Sequence, residues 1–591
     1  MSTRDPKPFR TAAPSGAWSV LPGLLGGASV GAALTGGVQA VGVLAASGGG
    51  PTLVDTAALV VANGVVIGLL VVVALMVPAA VFGGFLVRVG GGLPRWVGFW
   101  LGLALGLCVQ LSVASASGWE AAPGGWTCLA ALALAPASVV IASWLPAGRA
   151  RIFGIFLAIA PGLVWVELGR HAPAGGTDPP VDAPDVLLVT VEGLRGTAGP
   201  APQPRLPVLA ALAEDGVRFD SARTTRPEGV AGAASALSGD GAAAGEAGPT
   251  VPELLHLEGW KTGAFLSRAS VGTERIISGF DLVNRGAVLL LAGEHTVAGA
   301  LVAATGWRAA ARRGDRETTD AAVAWIREAR IDRFRPLFLW VHLAGAAPPG
   351  LATPPWDTAY YQGDARDPSR PSVIAELGLV GESAIAFEGV TDPNYVIAQH
   401  SGAASAADEQ VGRLLAALED GGSRPKVVVV AGVSGIALGD GGLWLTTEAV
   451  PTAATASVPV VVRAAGRLPR GATSASTVSI ADVATTTLEL VGVSAEGVGG
   501  RSLVPVAFGR HGQPFTATAA VEGPGLVLWG DHWSFSTATG DDAGELALER
   551  GEAGEEVIAL LRSISAGLRE GEVAPLAAEE GRLLRKLGAG L

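Results

Sequence analysis

Five long apolar runs occupy residues 18–46, 57–87, 97–115, 126–145 and 152–168. Each approaches or exceeds the ~20 residues a helix needs to cross the hydrocarbon layer of a bilayer. The connecting segments sort by charge. Met1–Ser15 carries Arg4, Lys7 and Arg10, Arg88–Arg95 and Arg149–Arg151 are basic at both ends, and the segments between them hold only Asp55 and Glu120. Basic and non-basic connections therefore alternate, which by the positive-inside rule predicts a cytoplasmic N-terminus. Five crossings then place everything after residue 170 outside the cytoplasm. The first run exceeds the apolar core of a signal peptide and reads as an uncleaved anchor. The predicted organisation is a cytoplasmic tail (1–17), an all-α five-helix transmembrane domain (18–170), a Pro-rich linker (171–184), an extracytoplasmic domain (185–570) and a C-terminal tail (571–591). The predicted location is the inner membrane, multi-pass, with the large domain in the periplasm.

Within the runs, Gly27–Gly31 and Gly98–Gly102–Gly106 have the small-xxx-small spacing that lets helices approach closely. Packing inside the bundle accounts for it more simply than dimerisation does. Gln39, Asn63 and Gln110 are the polar residues deep in the spans. Transport calls for ionisable groups at mid-membrane, so the bundle reads as an anchor, with a transporter subunit as the weaker alternative. The net charge of −12 with a pI near 5.2 argues against a nucleic-acid partner. Cys108 and Cys128 both fall in apolar runs. A disulfide framework and a cysteine zinc site are therefore not expected, and no residue beyond 128 can be a cysteine nucleophile.

From Asp185 the pattern changes. The run Val186–Val191 is short, apolar and β-branched and stops at Glu192-Gly193, the profile of a buried parallel strand with a carboxylate at its carboxyl end. In open α/β sheets ligands and metals collect at that edge. Strands are predicted at Thr262–Leu266, Leu337–His342, Lys426–Ala431 and Val458–Val462, and helices at Pro204–Asp215, Thr318–Ala329, Ala398–Leu418 and Ala481–Leu490. Thr516–Val521 and Leu526–Trp529 read as small antiparallel strands and Gly554–Leu568 as a final helix. Alternation of this kind predicts an α/β domain with a mostly parallel central sheet flanked by helices, and a small C-terminal antiparallel sheet.

The segments DVLLVTVEGLRG (185–196), LPVLAALAEDGVRFDSA (206–222), SALSG (235–239), ELLHLEGWKTGAFLS (253–267), GFDLV (279–283), ETTDAAVAWI (317–326) and PLFLWVHL (336–343) follow one another in a collinear order. So do DEQVGRLLAALE (408–419), VVVVAGVSGIALGDGG (427–442), VPVVVRAAG (458–466) and SIADVATTTLELVGV (479–493). In that order they resemble the sulfatases of the alkaline phosphatase superfamily over most of residues 185–570. The resemblance implies one or two divalent metals (calcium, zinc or manganese) at the carboxyl edge of the sheet, and a formylglycine, Ser or Thr that attacks sulfur or phosphorus. The metal would lower the nucleophile's pKa and neutralise charge on the transferring group.

The positions that the resemblance makes reactive carry other residues. The first-strand aspartate pair is Glu192-Gly193, the nucleophile position falls on Gly229, and the proline and basic residue beyond it are Ala231 and Ala233. The late aspartate-histidine pair is Val433-Ser434, the glutamate and histidine beyond it are Asp440 and Gly441, and the aspartate-proline-histidine is Gly345–Ala347. Glycine has no side chain to attack with and valine cannot coordinate. Thr225, in Thr225-Arg226-Pro227, mimics a nucleophile-x-proline spacing one segment early but lacks metal ligands. His342 is expected to face a strand neighbour or solvent, and His171, His256, His295, His400, His511 and His532 have no metal-ligand spacing. Glu192, Arg195 and Asp440 remain as a polar pocket edge.

The resulting expectation is a membrane-anchored pseudoenzyme with no catalytic residue, no metal and no cofactor, which binds an envelope polymer, a lipid head group or a protein partner. The alternative is an active metal-dependent ester hydrolase or head-group transferase with a divergent site. Its layout is similar to lipoteichoic acid synthases and phosphoethanolamine transferases.

Overall fold

The runs Asp185–Val191 and Lys426–Gly432 are apolar along nearly their whole length, so both of their faces must be covered. In the computed structural model they lie side by side in an eight-stranded sheet. The structure describes residues 179–587 except 181, 197–198, 242–247, 269–273, 285–312, 331–333, 421, 446–450, 511, 513, 520–524, 538–543, 550–551 and 571–577. The five apolar runs predicted as spans lie outside the described residues. Among the described residues no helix is long and apolar enough to cross a membrane.

In chain order the strands are β1 (Asp185–Val191), β2 (Val217–Phe219), β3 (Ala222–Arg223), β4 (Lys261–Leu266), β5 (Leu282–Asn284), β6 (Leu337–Leu343) and β7 (Lys426–Gly432). They continue as β8 (Val460–Ala464), β9 (Ala472–Ser474), β10 (Val478–Ser479), β11 (Thr516–Ala519), β12 (Leu526–Trp529), β13 (Trp533–Thr537) and β14 (Glu545–Leu548). The central sheet runs β5-β4-β6-β1-β7-β8-β2-β9. Only β8 opposes its neighbours β7 and β2, and the other pairs are parallel. Alternate residues of the central strands feed two cores. Val186, Leu188, Phe338, Trp340, Val427 and Val429 face one, and Leu187, Val189, Leu339, Val341, Val428 and Val430 face the other.

Asp185 ties the amino ends of the central strands together. Its Oδ1 accepts the Leu337 amide at 3.0 Å and its Oδ2 pairs with Lys426 Nζ at 3.0 Å. The long helix spans Pro393–Glu419, beginning ahead of the predicted Ala398 because Asp392 caps it and Pro393 occupies its first turn. Its buried Asp408 accepts the amides of Val208 and Leu209, each at 2.9 Å. It thereby caps the Pro207–Asp215 helix, whose own cap position, Leu206, has no acceptor. Asp408→Ala is expected to destabilise the domain by about 1–2 kcal/mol, read as a lowered urea midpoint; an unchanged midpoint contradicts this capping role.

The chain leaving β6 forms the helices Val373–Leu377 and Gly381–Ala386. These pack with Val396, Ile436 and Leu438 into a separate apolar cluster beyond the strand ends. Strands β11 to β14 make the small antiparallel sheet, and the Glu555–Glu570 helix covers it through Val557 and Leu561. The stretch 571–591, predicted as a tail, contains the helix Ala578–Lys586. Leu584 and Leu587 of that stretch are buried in the same cluster, and the Leu584 carbonyl accepts the Trp533 indole at 2.8 Å.

Candidate active-site edge

At the carboxyl end of β1 the polypeptide turns through Gly193, whose φ of +72° favours glycine. A side chain there would also strike the Ala346 carbonyl. Glu192, just before the turn, is 2% exposed. Its Oε1 lies 2.8 Å from His342 Nε2, and its Oε2 lies 3.5 Å from Arg268. His342 stands on β6 in register with Thr190. Its Nδ1 is 2.8 Å from Thr190 Oγ1, which also accepts the Trp340 indole at 2.9 Å. The imidazole is thus held from both sides, with Nε2–H donating to the carboxylate.

The helix Gly229–Ser238 (GVAGAASALS) points its first residue at this carboxylate. A Cβ built on Gly229 would lie 1.9 Å from Glu192 Cδ and 2.2 Å from its Oε1. No real contact is that short, so the Glu192 carboxylate occupies the volume that a side chain at 229 would need. The same arrangement recurs at Gly345, where a Cβ would lie 2.5 Å from Asp315 Oδ2. Asp315 accepts the amides of Ala344 and Gly345 at about 3.0 Å, and burial pushes its carboxyl above the usual range. At two positions where the resemblance implies reactive side chains, glycine therefore stands with a carboxylate of this chain in its place.

The remaining predicted residues fall around this centre. Val433 is wholly buried and its amide bonds to Val191. Ser434 Oγ accepts the Gly193 amide at 3.0 Å. Arg195 forks onto Asp440 at 2.6 and 3.0 Å, which holds that carboxyl below its usual range. Thr225 is 1% exposed and its hydroxyl is 2.6 Å from Ser235 Oγ. Among its described contacts there is no imidazole or carboxylate to take a proton. The buried His400 donates from Nε2 to the Gly193 carbonyl at 2.9 Å, while its Nδ1 has no partner. Burial lowers its pKa to about 4.

Sequence reasoning missed the pairing of His342 with Glu192 and the roles of Arg268 and Asp315. The available signal was a histidine inside the otherwise apolar LFLWVHL strand, on the same face as Trp340 by the period of two. Arg268 and Asp315 carry no local signal, because the tertiary fold brings them to the edge.

Among the described residues no three His, Cys, Asp or Glu side chains gather as a metal-holding group. A hard divalent cation calls for several oxygen ligands. The donors at the two pairs where the resemblance implies metal ligands, Glu192-Gly193 and Val433-Ser434, are one carboxylate with a guanidinium 3.5 Å away and one hydroxyl already bonded to an amide. That donor set does not fit the metal centre the resemblance implies.

A family model described as Sulfatase matches residues 184–493. The fold is similar to a phosphonate monoester hydrolase from Silicibacter pomeroyi, at 18% identity over 66% of this chain and 96% of that one, with a TM-score of 0.50. It is also similar to the phosphonate monoester hydrolase of Agrobacterium radiobacter, at 17% identity over 68% and 95% of the two chains, with a TM-score of 0.47. At these identities the likeness is one of fold alone. No curated protein sequence matches the chain.

Proposed function

The chain belongs to the sulfatase family of the alkaline phosphatase superfamily, and from that premise we propose a membrane-anchored, periplasmic pseudoenzyme that has lost metal-dependent ester hydrolysis. Its sulfatase-type domain serves as a binding or scaffold module in the cell envelope, with an envelope polymer, a lipid head group or a protein as partner. The five apolar runs and the alternation of their loop charges support the anchoring.

The observation that carries the loss of chemistry is the overlap of Gly229 with Glu192. Hydrolysis in this family's manner needs a nucleophile and a cation that activates it. At the nucleophile position there is no side chain, and its volume is filled by a carboxylate already engaged by His342 and Arg268. A carboxylate in that place repels the anionic ester that the family's chemistry would bring there. The domain is proposed to work without a metal, because the donors present are too few and one of them faces a guanidinium.

Metal retention tests this reading. The full chain, purified in detergent, is incubated with manganese, zinc or calcium, desalted and analysed for bound metal. The expected result is less than a tenth of an equivalent of each, on the order expected for a lone, guanidinium-paired carboxylate. A stoichiometric ion that is lost on Glu192→Ala would overturn it.

A further inference from the structure

Strands β4 and β5 run parallel to β6 and β1, so their carboxyl ends lie at the same edge of the sheet as Glu192. Between Asn284, at that end of β5, and Arg313 the chain runs through 28 residues, 285–312. Connections in compact domains usually take about 4–6 residues. Both ends of this one are pinned at the edge. Arg313 Nη1 donates to Asn284 Oδ1 at 2.6 Å, its amide to the Ser267 carbonyl at 2.9 Å, and its Nε to Thr318 Oγ1 at 3.0 Å. Ser267 is followed directly by Arg268, which reaches Glu192. The connection therefore leaves and rejoins the domain beside the candidate site.

The sequence between those ends has the composition of a segment for a lipid interface. AVLLLAG (287–293) and VAGALVAATGW (297–307) are apolar but for Thr305, EHT (294–296) divides them, and Trp307 is followed by Arg308 and Arg312. Tryptophan and then arginine at the end of an apolar stretch is the order found where a segment meets the head groups. Each half falls short of the ~20 residues that a crossing needs. Both ends also belong to one domain on one side of the membrane, so a single crossing is impossible. The described surface at the same edge is apolar as well. Val380 and Ile385, in the apolar cluster's helical region beyond the strand ends, are 70% and 76% exposed, while their neighbours Leu379 and Phe387 are buried.

From this placement we infer that the carboxyl edge of the sheet docks on the outer face of the bilayer, with the 287–307 run in the head-group region and Val380 and Ile385 against the lipid. The partner that meets the edge is then a lipid head group and not a soluble polymer. The inference rests on the anchored, periplasmic reading proposed above. The tether permits it. The 16 residues 169–184 reach about 55 Å when extended, more than twice the about 23 Å length of the seven-residue β1. A chain that enters at the amino end of β1 can therefore turn the opposite end of the sheet to the membrane.

The test uses the full chain in phosphatidylcholine vesicles, with Cys108→Ala and Cys128→Ala and one cysteine labelled with the polarity-sensitive dye NBD, at Ile385→Cys, Leu290→Cys or Phe334→Cys. Phe334 is 87% exposed and precedes the amino end of β6, so it marks the opposite end of the sheet. Vesicles with and without 5-doxyl phosphatidylcholine are compared. At Ile385 and Leu290 the spin label is expected to quench at least about half of the fluorescence, as for a dye seated at the head-group boundary, and at Phe334 none. Ile385 and Phe334 are exposed, so neither substitution should move the urea midpoint; should the Ile385 variant unfold, Val380→Cys takes its place. Vesicle flotation at alkaline pH separates the two readings. A chain that does not float overturns the anchoring and this inference with it. A chain that floats but shows no quenching at Ile385 and Leu290, or shows quenching at Phe334 instead, overturns this inference alone. So does a blue-shifted but unquenched dye at Ile385, which would assign that face to a protein contact.

Discussion

Gly229→Ser is expected to destabilise the domain by about 2–4 kcal/mol, although the residue lies at the start of a helix, where serine is ordinarily the better choice. The new side chain has nowhere to go, since its Cβ alone would lie 1.9 Å from Glu192 Cδ. It must either strain the Gly229–Ser238 helix or drive the carboxylate off His342 and Arg268, leaving buried polar groups unpaired. Removing the obstacle reverses the sign. In a Glu192→Ala background Gly229→Ser should be neutral or slightly stabilising, because serine is the better helix former. A double-mutant cycle by urea titration with pulse proteolysis of the full chain should therefore give a coupling of about 2–4 kcal/mol. Additivity within about 0.5 kcal/mol would show that the two residues do not compete for one volume.

The second large effect is one of pH. His400 is buried, and burial lowers its pKa to about 4 against an ordinary value of 6.5, with the Arg195 charge acting in the same direction and the bond to the Gly193 carbonyl opposing it. Below pH 6.5 the unfolded chain takes up a proton that the folded chain refuses, so stability rises with pH across the window from 4 to 6.5. The contribution is complete above about pH 6.5 and is lost progressively as pH falls to about 4, amounting to about 3 kcal/mol. Other groups also titrate in this range, so the quantity to measure is the stability difference between wild type and His400→Leu. That difference should shift by about 3 kcal/mol between pH 7 and pH 4. A difference that stays constant would mean His400 is protonated, or exposed, in the folded protein.

The scaffold was largely legible in the sequence because strands buried on both faces announce themselves. The runs of β1, β6 and β7 are continuous and apolar, and the family order of segments follows from them. Their ends were less legible. The long helix starts at Pro393, ahead of the expected Ala398, and the local signal for that start is an Asp cap followed by Pro. The Ala578–Lys586 helix was read as tail because its apolar residues are few and make sense only against Trp533 and Phe535. At the candidate site, the resemblance to the sulfatase pattern pointed to the positions held by Glu192, Gly229, Val433 and Ser434. What stands beside those positions could not be read that way. That Glu192 stands in the volume of a 229 side chain, and Asp315 in that of a 345 side chain, depends on residues 37 and 30 positions apart. Arg268 reaches the edge in the same way, from the end of β4. Long-range packing of this kind leaves no period or motif in the chain.

Turnover tests the proposed loss of hydrolysis most directly. The full chain, purified with and without manganese, zinc or calcium, is assayed against 4-nitrophenyl sulfate, 4-nitrophenyl phosphate and a phenylphosphonate monoester. The predicted result is no release above a metal-only blank with any substrate, in wild type and in Glu192→Ala alike. Turnover in the wild type that disappears in Glu192→Ala or Thr225→Ala would contradict the account and return the strand edge to catalysis.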